Sequence, residues 1–423
     1  MRIRFLISAI CCVFFASGER VLGQVEPVEG PPIFLARELL PENLLRTDFY
    51  SVSQMVEVTG FAYEFSVESV YGNYRVTGKG ELLKLLHELE VIGQLAEISQ
   101  SEAFASSLST SFTDPVATTV GVARRPIASV TGLPTGIARY LGGKLYQVRR
   151  GSDKAVSKIR SFKAKGEEVE ADSPKEKGQL RASTSKLSRK HLGHDSAKRK
   201  WARRLEVDPY SDNLRLQEAL GRIAWASSLG QFAGDFAVPS SEVFSYAGKA
   251  QELVWDRPAH QLEREIVGNL KKCKVDKYIV EAFRDSSAYS LTEKTQLSLA
   301  FLRLKESGAV PFLVEFALEA KTKEDAFLFL RTMGVFVQYQ EEVSEIVDIQ
   351  EKRGLLVASS KNGYEIYPLA VDYLHWTPLV YEALLSEELK SDKREVWVSG
   401  TVSPIAKLRL RHHGWEVFDE VER

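Results

Sequence analysis

Enzymatic chemistry needs nucleophiles, acids, bases or metal ligands at workable spacings. The scarce reactive side chains therefore come first. The chain holds seven histidines, His87, His191, His194, His260, His375, His412 and His413, and three cysteines. The most suggestive cluster is Asp372-Tyr373-Leu374-His375-Trp376. An Asp and a His three apart meet on one helical turn, giving a carboxylate-oriented imidazole that can move protons. No nucleophile stands beside them, and a turn leading into a helix explains the same residues. Further on, Ser399-Gly400-Thr401-Val402-Ser403-Pro404 lies between an expected strand and an expected helix. Ser403 reads as the helix cap and Pro404 as its first residue, and backbone N–H groups at such a turn can also hold a phosphate or a carboxylate. Asp372, His375 and Ser399 are the candidate catalytic residues.

Stronger signatures are missing. The sequence contains no Gly-x-Ser-x-Gly elbow, His-Glu-x-x-His, Walker loop, Gly-x-Gly-x-x-Gly or EF-hand loop, and its cysteines cannot supply paired Cys-x-x-Cys ligands. His412-His413 ends an expected helix, where the dipole favours imidazolium, and neighbours about 100° apart do not chelate one ion. The expectation is no metal and no cofactor.

The elements that must position these residues follow from periodicity. At 423 residues the chain suits two or three domains, and its 44% apolar and 27% charged content is that of a globular protein. The pattern predicts an α+β fold, predominantly helical, in three ordered parts. The first, 24–110, holds a short helix near 33–40, a hairpin over 61–77 and a long helix carrying Leu82, Leu85, Leu86, Leu89, Ile92 and Leu95 on one face. The second, 196–342, is a helical bundle with helices at about 240–254, 259–272, 276–284, 291–306, 311–320 and 323–340. The third, 343–423, is a small α/β unit. Strands over 354–359 and 364–367 flank the hairpin signal Lys361-Asn362-Gly363, and a βαβ succession runs from 395 to 418. Two stretches, Tyr74-Arg75-Val76-Thr77-Gly78 and Val207-Asp208-Pro209-Tyr210-Ser211-Asp212-Asn213, have the look of signatures but spell no chemistry.

Charge and the N-terminus bear on location. Arg2 and Arg4 precede the apolar run Phe5 to Ala16, and Val21-Leu22-Gly23 supplies small residues before Gln24. That is the layout of a secretory signal peptide over 1–23. Without it Cys273 is the sole cysteine, and the chain has no Asn-x-Ser/Thr sequon; both suit a bacterial periplasmic or secreted protein. Residues 111–195 combine a Gly/Pro-containing loop with a basic segment. From Arg149 to Arg204 there are 18 Lys/Arg against 7 Asp/Glu, a surplus of 11 in a chain of net charge -1. With few large apolar residues, 151–195 is expected to be a mobile linker. Lys186, Arg189, Lys190, Lys198, Arg199 and Lys200 are its candidate contacts to an anionic envelope polymer or membrane surface, with no nucleic acid as partner. The function expected is a non-enzymatic binding or structural protein of the envelope, partnered by an envelope protein or an anionic surface. The alternative is an envelope hydrolase with its site in the C-terminal α/β unit.

Overall fold

A computed structural model describes residues 28–100, 193–228, 248–385, 389 and 391–421. The signal-peptide segment and nearly all of 111–195 lie outside the described residues. Over those described, the fold is α+β, 53% helix and 20% strand.

The N-terminal part is a five-stranded antiparallel sheet. It comprises β1 (Ile33–Leu35), β2 (Tyr50–Val52), β3 (Met55–Thr59), β4 (Ala62–Ser69) and β5 (Gly72–Thr77), in the order β1-β3-β4-β2 with β5 also paired to β4. The expected hairpin is β4–β5, in register from Glu64 opposite Thr77 to Ser69 opposite Gly72. The short helix expected near 33–40 is instead β1 followed by one helical turn, α1 (Ala36–Leu39). Three-residue strands are too short to show alternation, so β1 and β2 leave no periodic trace.

Helix α2 (Lys79–Gln100) serves two cores at once. Leu82, Leu86 and Leu89 lie on the sheet, whereas Val91, Ile92 and Leu95 pack against α3 (193–204) and α4 (Leu214–Ser228) through Trp201, Leu205, Leu216 and Ile223. A helix apolar on two faces has to be covered on two faces.

The next six helices are α5 (Gly248–Asp256), α6 (Ala259–Lys272), α7 (Lys277–Asp285), α8 (Leu291–Arg303), α9 (Val310–Ala317) and α10 (Lys323–Glu342). Their starts are written locally. Asp276 caps α7, and capping boxes at Ser290/Glu293 and Thr322/Asp325 open α8 and α10. Gly308, in the left-handed region at φ 73°, turns the chain toward α9, with Pro311 in the first turn.

The C-terminal part holds a mixed sheet in the order β12-β10-β8-β7-β6. Its members are β6 (Ile346–Lys352), β7 (Leu355–Ser360), β8 (Glu365–Leu369), β10 (Arg394–Val398) and β12 (Glu416–Phe418). Strand β10 runs parallel to both β8 and β12, and β10, α12 (Pro404–His412) and β12 form the βαβ unit. A small second pair, β9 (Tyr373–Leu374) with β11 (Thr401–Val402), and helix α11 (Pro378–Leu384) complete it. Strand β7 divides its side chains between two cores: Leu356 and Ala358 face the α6–α10 cluster, while Leu355 and Val357 face α11 and α12. The hydrophobic clusters thus run across the boundaries at 110 and 342 expected from sequence. Phe61, in the N-terminal sheet, belongs to the C-terminal core.

Candidate functional site

The Asp372–His375 segment is not helix: Asp372 lies at a bend, Tyr373–Leu374 form the short strand β9, and His375 follows it. Without a helical turn to bring residues three apart together, the two side chains part company, Asp372 toward Tyr63, Lys79 and Arg331 and His375 toward Phe61 and Tyr373. Asp372 turns inward, 4% exposed. Its Oδ2 accepts the backbone N–H groups of Tyr63 (3.1 Å) and Lys79 (3.2 Å), and its Oδ1 accepts Arg331 Nη1 (3.1 Å). One carboxylate therefore joins β4, the first turn of α2, and α10. It caps α2 from 293 residues away, where the helix dipole favours an anion. Gly78, in the left-handed region at φ 99°, sits against this carboxylate. The Tyr74–Gly78 stretch therefore delivers the start of α2 to Asp372.

The backbone at Asp372 is held as firmly. The β3–β4 turn, Gly60-Phe61, has both residues at positive φ (57° and 70°). A two-residue hairpin turn of this hand needs that, and a bulky Phe adopts it only under constraint. The constraint is visible: the Phe61 carbonyl accepts N–H from Asp372 (3.0 Å) and Tyr373 (3.1 Å), and its ring lies 5.0 Å from that of His375. On the other side, Gly400 N–H donates to the Val371 carbonyl and Thr401 N–H to the Asp372 carbonyl. A Cβ at Gly400 would overlap the Asp372 backbone.

His375 is covered between Phe61 and Tyr373. Burial pushes its pKa down, against the opposing pull of Glu29 and the Tyr373 carbonyl. Ser399 is buried as well, its hydroxyl and its N–H both directed at the Leu369 carbonyl (3.4 and 3.0 Å). Among the described residues no hydrogen bond joins Asp372, His375 and Ser399 to one another. Ser403 caps α12, its hydroxyl accepting Ala406 N–H (3.0 Å) and donating to Glu29 Oε2 (2.5 Å). Ser403 thus acts as the cap read from sequence, and the Glu29 carboxylate meets its hydroxyl rather than the turn's backbone N–H groups.

A second polar cluster was invisible to motif reading. Glu88, buried on α2, accepts the Ser211 hydroxyl (2.6 Å) and Asn213 Nδ2 (2.8 Å). Asp208 accepts the Thr292 hydroxyl (2.7 Å) and Tyr210 N–H (2.8 Å). Tyr210 donates to the Arg257 carbonyl (3.1 Å), Asp212 pairs with Lys323 (2.7 Å), and Asn213 Oδ1 caps α4. Every polar side chain of the Val207–Asn213 stretch thus fastens one element to another. Burial raises the pKa values of Glu81, Glu88 and Asp208. Lys84, amid them, is pulled down by burial but pushed up on balance by Glu81, Glu88, Asp208 and Glu293. Among the described residues no group of three or more His, Cys, Asp or Glu is arranged to hold a metal ion.

An open concavity lies elsewhere. A shallow groove of about 520 Å³ runs between the end of α7 and the α9–α10 turn, lined by Asp285, Ser286, Ser287, Lys321, Thr322 and Lys323 among others. Asp285 is lowered by its hydrogen bond with Arg284. None of the candidate catalytic residues reaches this groove.

Lys186, Arg189 and Lys190 lie outside the described residues. Lys198 donates to Gln217 Oε1, and burial pushes its pKa down. Arg199 hydrogen-bonds Tyr210. Lys200 is exposed on the same helix. Of these three, only Lys200 is exposed, and Lys198 and Arg199 are half-buried. No family model, curated protein or solved structure matches the chain.

Proposed function

We propose that this is an exported bacterial envelope protein that works by binding, through contacts with an envelope protein or an anionic envelope surface, and not by catalysis. One observation supports the reading above others: the side chains best suited to chemistry, Asp372, His375 and Ser399, are each covered and directed at different neighbours. A catalytic group must reach substrate, and the groove between α7 and the α9–α10 turn is lined by other residues. The hydrolase alternative would require all three to turn outward, which would detach α2 and α10 from the Asp372 carboxylate.

The basic surplus between Arg149 and Arg204 supplies the attraction to an anionic surface. Each Lys or Arg beside such a surface contributes about 1 kcal/mol, screened by salt. The test is co-sedimentation of the mature chain with phosphatidylglycerol-containing vesicles, against phosphatidylcholine vesicles, from low to physiological salt. Binding is expected only to the anionic vesicles and to fall steeply with salt. Lys186, Arg189, Lys190 and Lys200 changed together to Gln should weaken it, while Lys198 and Arg199 are kept for their packing. Equal binding to both vesicles, or none at low salt, removes the anionic surface from the proposal.

A further inference from the structure

Among the described residues, the arm that leads into β1 hydrogen-bonds the C-terminal part through Glu29. Glu29 N–H donates to the Trp376 carbonyl (2.7 Å), while Glu29 Oε2 accepts Trp376 N–H (2.6 Å) and the Ser403 hydroxyl (2.5 Å). Trp376 and Ser403 are fully buried with Glu29 in place, and Ser403 is held as the cap of α12 by its hydrogen bond from Ala406 N–H. The notch they form sits at the first turn of α12, where aligned backbone dipoles favour an anion. Beside it the covered His375 feels the charge of Glu29, and its Nδ1 finds no hydrogen-bond partner of good geometry. The flanking arm is another matter. Val28, Gly30 and Pro31 are exposed, and prolines 31 and 32 favour an extended backbone with no internal hydrogen bonds. Among the described residues Glu29 is the arm's hydrogen-bonded peg in this notch.

We propose that the notch of Trp376, Ser403 and the first turn of α12 is a recognition site for a glutamate in an extended, proline-flanked peptide. In this chain Glu29 fills it in cis, and a partner segment of the same chemistry binds by displacing the arm. The three hydrogen bonds read a glutamate specifically. The main-chain N–H and the carboxylate must both reach Trp376 while the same carboxylate oxygen meets Ser403, which fixes the side-chain length. A contact hydrogen-bonded through Glu29 opens locally at low cost. A tethered occupant nonetheless competes at an effective concentration in the millimolar range, which masks the site from weak ligands. This inference extends the binding role proposed above and does not rest on the basic segment, so vesicle binding and peptide binding fail or succeed independently.

The experiment uses the full chain and a blocked synthetic peptide of residues 25–32, titrated calorimetrically. Glu29→Ala and Glu29→Gln, both on the exposed arm, should fold as the parent does by circular dichroism and should expose the notch. The peptide is expected to bind either variant at least about tenfold more tightly than the parent. A peptide with Gln in place of the second glutamate should lose about tenfold on the unmasked variants, the worth of a charge-assisted hydrogen bond. Ser403→Ala in the Glu29→Ala background should lose a similar factor. Equal binding to parent and variants, equal binding of the Glu and Gln peptides, or no binding to folded Glu29→Ala would each overturn the proposal.

Discussion

Asp372→Asn changes one heavy atom and no volume, yet it removes the carboxylate charge with which the C-terminal part pairs Arg331. In the parent, Oδ2 accepts two backbone N–H groups and Oδ1 accepts Arg331 Nη1. An asparagine has one acceptor. If its oxygen stays with Tyr63 and Lys79, its NH2 confronts the guanidinium, donor to donor. If it flips, two buried N–H groups lose their partner. Both side chains of the pair are almost wholly covered, at 8% and 3% exposure, so solvent offers little relief. Breaking a buried pair on one side costs about 3–5 kcal/mol. Urea unfolding followed by tryptophan fluorescence should show that loss as a lower midpoint at unchanged slope. A cycle through Arg331→Met sharpens the test. In the double variant the Asn oxygen keeps both backbone N–H groups and its NH2 meets no guanidinium, so a coupling on the order of 1–3 kcal/mol should be regained. A loss below about 1 kcal/mol, or a double variant that loses the full sum of the singles, would refute the view that this carboxylate ties the three parts together.

Two further outcomes are expected. Burial, with Glu351 nearby and Lys321 opposing, pushes Glu319 up to about 7. A carboxyl raised by folding contributes stability that is fully present below its ordinary value and lost as pH rises through the folded one. Stability from this group should therefore increase as pH falls from 7 toward 4.5, and Glu319→Gln should flatten that part of the profile measured by urea unfolding at each pH. Cys273 is buried with its thiol near the Phe301 carbonyl (3.6 Å), and burial raises its pKa against Lys305 and Lys272. It should react with a disulfide reagent only as fast as the chain unfolds, and rapid labelling of the native protein would contradict that placement.

Much of the architecture was legible in the chain because its causes are local. Apolar spacing on one face, with Pro258 opening α6 and side-chain caps opening α7 and α10, put α6 at Ala259–Lys272, α7 at Lys277–Asp285 and α10 at Lys323–Glu342, within about two residues of the boundaries the pattern predicts. Gly363, at φ 86°, makes the β7–β8 turn that Asn-Gly announces. Ser403 and Pro404 open α12 as capping chemistry requires. Strand β6 escaped because its exposure pattern, two buried positions among five more open ones, has no period of two. The fate of the reactive side chains was not legible at all. Asp372 and His375 stand three apart in either backbone, and only the extended path of the chain between them, with Tyr373 and Leu374 paired to Thr401 and Val402, decides that they diverge. Partners 293 and 309 residues away turn Asp372 into a tie between parts, and a partner 374 residues away brings Glu29 to Ser403. Such contacts carry no periodicity and no fixed spacing. They arise when separate hydrophobic faces meet and leave polar groups that must find one another away from water, a constraint that exists only once the chain has folded.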